Sequence, residues 1–261
     1  MALVRIIMRL AAMAGWLAIC LPMHIVCTVL ARRLAISNLF ISRLFLGGIA
    51  RIAGVRIHTL GQPATGRRII LANHMSWIDI PVLARTCGAA FVAHEGLAAH
   101  PLLKILCEMN DTVFIARSRR SSVTQQIRQL RDAMRATETL VLFPEGTTGD
   151  GTAFLPLKSA LLCAMDPPPA EVAVQPVLLD YGSDASAIAW TNGEPGPTNF
   201  LRLLARAKPI EVAVHFLAPL EPDKLQGRKA IADAVLARWQ RRMHDVRAGS
   251  ISAPDRLDAG A

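Results

Sequence analysis

Residues 67–79, Arg67-Arg68-Ile69-Ile70-Leu71-Ala72-Asn73-His74-Met75-Ser76-Trp77-Ile78-Asp79, read as a short buried strand running into a polar turn. The unbroken apolar run Ile69–Ala72 suits a strand covered on both faces, which is the habit of parallel sheets. Loops at the carboxyl ends of such strands are where α/β folds place their sites. The turn that follows holds a base and an acid. An imidazole accepts a proton near neutral pH, and a carboxylate on its far nitrogen fixes the tautomer and stabilises the cation. If Asp79 opens a helix, its carboxylate can turn back toward His74 across the short turn. By itself the pair is a weak signal in a chain with seven His, where a loop histidine more often serves packing.

Outward from this stretch, apolar runs alternate with helical stretches. Ala89–Ala93, Thr112–Ile115, Leu140–Phe143, Val172–Leu179 and Ile210–Phe216 read as strands, and Ile188–Trp190 as a short edge strand. Ser122–Thr137 sets Ile127, Leu130 and Met134 on one helical stripe. Gly227–Arg247 sets Ile231, Val235 and Trp239 four residues apart. Strands alternating with helices predict an α/β fold with a mixed, largely parallel sheet flanked by helices.

The N-terminal part reads differently. Residues 11–31 contain no Asp, Glu, Lys or Arg, and about 20 apolar residues are enough to cross a bilayer. Arg5, Arg9, Arg32 and Arg33 flank the stretch on both sides, which leaves its orientation open. Pro22 and His24 near its middle allow a kinked or re-entrant helix. Residues 34–50, interrupted by Arg43, read as an interfacial helix. The chain thus divides into membrane-attached helices over 1–54, a catalytic α/β domain over 55–247 and a disordered tail over 248–261. Hydrophobic residues make up 52% of the 261 and the net charge is +9, so an anionic lipid surface is a natural neighbour. Nucleic acid is a poor partner, since aromatic residues for stacking are only 5% and Tyr occurs once. The five cysteines are scattered without a CxxC pair, which argues against a disulfide framework or a zinc site.

Three further blocks lie downstream of the His74–Asp79 turn. Phe143-Pro144-Glu145-Gly146-Thr147-Thr148 closes a strand with a turn whose N–H groups can face a ligand, and Glu145 offers an acceptor for a hydroxyl or a cation. Val113–Arg117, with Arg119 and Arg120 beyond it, places cations after a strand, where they can hold an anionic headgroup. Gln175-Pro176-Val177 is a strand with a proline at an edge or end. The four blocks together resemble the phospholipid/glycerol acyltransferase family, whose best-known members are 1-acylglycerol-3-phosphate acyltransferases. The resemblance covers about residues 40–245 and rests on NHxxxxD and FPEGT at this separation.

That resemblance implies roles. His74 would deprotonate the free hydroxyl of a lysolipid, and Asp79 would orient it. Arg117, Glu145, Gly146 and Thr147 would line the acceptor site, and Pro176 would shape the pocket. The acyl donor would be acyl-CoA or acyl-carrier protein, with no metal or organic cofactor. The enzyme would sit on the cytoplasmic face of the cell inner membrane, in phospholipid biosynthesis. Lysophosphatidate is the first choice of acceptor and lyso-ornithine lipid the alternative. Three departures support the alternative. Phosphatidate-forming members usually carry a basic residue where Thr148 stands, a lysine where His94 stands and a glycine where Asp111 stands. The run Thr147–Gly151 and Leu155–Ser159, with Trp190 and Gly193, is similar to the lyso-ornithine lipid branch. Arg117, Lys104 and Lys158 remain as candidate phosphate contacts. A serine hydrolase would need a GxSxG elbow, which the sequence lacks. A non-enzymatic membrane-binding protein would tolerate His74→Ala.

Overall fold

The computed structural model describes residues 1–34, 39–94, 96, 101–115, 123–191 and 193–249. Arg117, Arg119, Arg120 and the tail beyond residue 249 lie outside the described residues. The described strands are β1 (Val55–Leu60), β2 (Arg68–Ala72), β3 (Ala90–His94), β4 (Val113–Ile115), β5 (Thr139–Leu142), β6 (Ala173–Asp180) and β7 (Ile210–Phe216). They form one seven-stranded sheet in the order β1-β7-β6-β2-β5-β3-β4. Every pairing is parallel except β6 with β7, so the sheet is mixed and largely parallel.

Side-chain alternation along the central strands builds two cores. Ile70, Ala72, Val141, Val177 and Leu179 face one way. They pack with α2 (Leu39–Ala53), α3 (Asp79–Cys87) and α8 (Gly196–Ala205). Ile69, Leu71, Leu140, Leu142 and Leu178 face the other way, against α5 (Val123–Ala136), the short α6 (Ser159–Leu162) and α9 (Arg228–Arg247). On α9, Ile231, Val235 and Trp239 are fully buried, the stripe expected from their spacing. The remaining helices are α1 (Ala2–Leu34), α4 (Pro101–Met109) and α7 (Ala185–Ile188).

α1 runs on through Pro22, and Ala2–Thr28 is long and apolar enough to cross a membrane. It also belongs to the folded body. Met13 and Cys20 are buried, and Trp16 Nε1 donates to Phe45 O at 3.0 Å. Arg5 Nη1 donates to Ala205 O at 2.5 Å, and Arg9 Nη1 to Leu204 O and Arg206 O at 3.0 and 3.1 Å. Two arginines thus satisfy the orphan carbonyls at the C-terminus of α8, where positive charge is favoured. Leu3, Val4, Ile7, Met8, Leu10, Ile19, Ile25 and Val26 are exposed on the rest of the helix. α2 packs on α1 and α3 as well as leading into β1.

Two expectations need correction. Ile188–Trp190 is not a strand: Ile188 ends α7, and the backbone of Trp190 bonds to the loops of the site instead of to a sheet edge. Pro176 does not lie at an edge, because β6 is central. Its C=O accepts from Leu217 N at 3.1 Å, just past the Val177–Phe216 end of the β7 ladder. The N–H that proline lacks would point to that same side, toward Leu217 O, which instead accepts from Gln175 Nε2 at 2.9 Å.

Candidate active site

β2, β5 and β6 lie side by side, and the site is built where β2, β5 and β6 end. Asn73 follows β2 and extends it sideways. Its Nδ2 donates to Leu179 O at 3.0 Å and its Oδ1 accepts from Leu179 N at 2.7 Å. The side chain therefore bonds to β6 as a backbone residue would. The next turn starts α3. Asp79 stands in the first helical turn, where a carboxylate suits the free N–H groups, and Gly88 ends the helix at φ +61° with its N–H on Ala84 O.

Asp79 is fully buried and holds the turn together. Its Oδ2 accepts from His74 Nδ1 at 2.7 Å, Met75 N at 2.7 Å and Ser76 N at 2.8 Å. Its Oδ1 accepts from the Tyr181 hydroxyl at 2.5 Å. An ionised carboxylate only accepts, so the proton of neutral His74 sits on Nδ1 and the lone pair on Nε2. The imidazole lies flat on Phe143, with ring centroids 4.0 Å apart and planes 15° apart. Its side chain is 18% exposed, and no described residue bonds Nε2. The geometry is that of a general base: one nitrogen fixed, the other open. Tyr181 is itself fully buried, and burial, then the Asp79 charge, holds its hydroxyl protonated far above the usual range.

The FPEGTT turn locks this arrangement from the β5 side. Glu145 is buried, and its two oxygens accept from His74 N at 3.0 Å and Leu155 N at 3.2 Å. Burial pushes its carboxyl up to about 7 in spite of those two N–H groups. Glu145 thus supports the backbone of the base, a role its residue type alone did not announce. Gly146 turns the chain at φ +69°, its N–H on Phe143 O at 3.1 Å. Thr147 is half-buried beside it. Gly149 N donates to His74 O at 2.8 Å. Thr148 Oγ1 donates to Trp190 O at 2.5 Å, and Trp190 N donates to Met75 O at 2.7 Å. A segment between α7 and α8 is thereby stitched to both motif loops. Glu194, nearer α8, accepts from Asn199 Nδ2 at 2.9 Å and Arg202 Nε at 3.0 Å.

The structure brings His74, Asp79, Glu145, Gly146 and Thr147 together. Pro176 stands apart, buried within β6 opposite Leu71 and, by alternation, on the face of Val174 and Leu178. Gln175 beside it is a structural tie, bonding Ala64 N, Gln62 O and Leu217 O. Lys104 pairs with Glu108 along α4 at 3.7 Å. Asp111 stands at φ +48°, in the left-handed region that favours glycine. Sequence reasoning missed Tyr181. Its signal was that the chain's only tyrosine directly follows a buried strand.

Known proteins resemble the chain in sequence and in fold. A family model described as acyltransferase matches residues 54–179. A lyso-ornithine lipid O-acyltransferase of Brucella abortus is 33% identical over 198 residues, covering 70% of this chain and 74% of the relative. A 1-acyl-sn-glycerol-3-phosphate acyltransferase of Neisseria meningitidis is 26% identical, covering 67% and 70%. The crystal structure of the 1-acyl-sn-glycerophosphate acyltransferase from Thermotoga maritima shares the fold, with a TM-score of 0.66, 20% identity and coverage of 94% and 98%. On the strength of the matched motifs and the Brucella relative, the chain belongs to the acyltransferase family.

Proposed function

We propose that the protein transfers a fatty acyl group from acyl-CoA or acyl-carrier protein to the hydroxyl of lyso-ornithine lipid. The observation that carries the chemistry is His74, locked at Nδ1 by Asp79 and open at Nε2. The acceptor hydroxyl gives its proton to Nε2 as its oxygen attacks the thioester carbonyl. The ester bond forms, the thioester bond breaks, and the imidazolium returns the proton to the departing thiolate. A base so placed contributes typically about 10²–10⁴-fold. Asp79 lowers the cost of the imidazolium while it exists. The reaction needs no redox or electrophilic cofactor, because the thioester is already activated.

Two observations favour the ornithine headgroup over phosphate. Thr148 stands where, by the resemblance, phosphatidate-forming members usually carry a basic residue, and its hydroxyl is turned to the Trp190 carbonyl. Relatives from Brucella abortus and Rhizobium meliloti are named for lyso-ornithine lipid. Lysophosphatidate is the second reading, supported by the Neisseria relative. The exposed apolar side chains of α1 suit contact with lipid. We place the enzyme on the cytoplasmic face of the inner membrane, where water-soluble donors reach it.

The test offers both acceptors together, at equal concentration, to detergent-purified enzyme with labelled donor. Acylated lyso-ornithine lipid should dominate the products. Dominant phosphatidate would overturn the acceptor assignment while leaving acyl transfer intact.

A further inference from the structure

Lys158 lies directly over the FPEGTT turn. A Cβ built on Gly146 would stand 2.6 Å from Lys158 Cδ and 3.0 Å from its Nζ, so the stem crosses the glycine in close contact. The backbone is fixed there too, since Lys158 N donates to Pro144 O at 2.7 Å. The turn it covers is the one that holds the base: Phe143 stacks on His74, Glu145 accepts from His74 N and Gly149 donates to His74 O. The residue is exposed, and no described carboxylate lies within ion-pair distance of its ammonium. A lysine held over a glycine of the turn that supports His74, with no counter-ion among the described residues, has the properties of a cation reserved for an anionic ligand.

We infer that Lys158 holds the anionic group of the acceptor headgroup, which on the proposed acceptor is the ornithine carboxylate. The inference rests on the proposed function for the identity of that group. Glycine at 146 follows from the same contact, because any side chain there would displace the lysine stem. An ammonium holds a carboxylate through a charge-assisted hydrogen bond, and Thr148, turned to Trp190, adds no charge beside it.

The test is steady-state kinetics of wild type, Lys158→Met and Lys158→Arg. Lyso-ornithine lipid, its carboxylate methyl ester and lysophosphatidate serve as acceptors. Methionine keeps an unbranched stem over Gly146 and removes only the charge. For lyso-ornithine lipid, Lys158→Met should raise the acceptor KM roughly 10- to 100-fold, the range for one charge-assisted hydrogen bond. The loss should fall on KM more than on kcat, and Lys158→Arg should recover most of it. With the methyl ester, wild type should be as poor as Lys158→Met, and the substitution should add little. The same pattern on lysophosphatidate alone would keep Lys158 as the anion holder and overturn the ornithine assignment. A rise confined to the donor KM, or an equal loss on ester and free acid, would overturn the role given to Lys158. Transfer to no acceptor by wild type would overturn the proposed function and, with it, this role.

Discussion

Tyr181 donates to Asp79 Oδ1 at 2.5 Å, from a position buried as completely as the carboxylate it serves. Its hydroxyl helps fix the carboxylate that orients His74. In Tyr181→Phe, Asp79 Oδ1 loses that donor in a buried site, and kcat should fall several-fold in a folded variant; an unchanged kcat would contradict the link. Glu145 gives a stability prediction. Its ordinary value is 4.5 and burial lifts it to about 7. Between those values the folded chain keeps a proton that the unfolded chain has released, so stability is greatest at the low end and falls as pH rises through the window. The swing is up to about 3 kcal/mol. Urea midpoints from pH 5 to 8 should fall in the wild type and flatten in Glu145→Gln. At this scale His74 and Asp79 were legible, because their spacing has a chemical meaning. Glu145 and Tyr181 were not legible in these roles, because a carboxylate bound to backbone N–H groups and a phenol meeting Asp79 across 102 positions leave no local pattern.

Among the elements, β7 and α9 were plain in the sequence, since the alternate burial of Ile210, Val212 and Val214 and a four-residue repeat leave clear periodicities. β1 was missed because it lies at the sheet edge. Its Arg56 and His58 reach Glu211 of β7 from the solvent face, which breaks the apolar run. α8 was missed because it opens with Gly196-Pro197, which reads as a turn although proline suits a first helical turn. The segment read as a strand at Ile188–Trp190 is apolar for another reason: Ile188 and Ala189 are buried, and Trp190 is bonded between two loops. That stitch makes a testable claim. Thr148→Val removes the donor to Trp190 O and should cost about 1 kcal/mol in the urea midpoint. It should also lower kcat, because the same segment holds Met75, next to the base. Full activity in a destabilised variant would show that the segment supports the fold alone.

For the whole molecule, composition announced an apolar N-terminal helix but not its attachment. The low polarity that marks α1 for lipid also hides which stripe of it packs on protein. Met13, Trp16 and Cys20 face the body, and Arg5 and Arg9 cap α8. Deleting residues 1–34 should therefore uncover apolar surface on α2 and strip the carbonyls of α8. The shortened chain should aggregate or need detergent; a soluble, active product would show α1 to be a separable anchor. The account as a whole turns on one atom, Nε2 of His74. Its most direct test is the initial rate of acyl transfer to lyso-ornithine lipid by wild type and His74→Ala, purified in the same detergent and matched for folding by thermal melt. The account predicts a loss of at least about 10²-fold with the melt preserved. Comparable rates from a folded His74→Ala would contradict it.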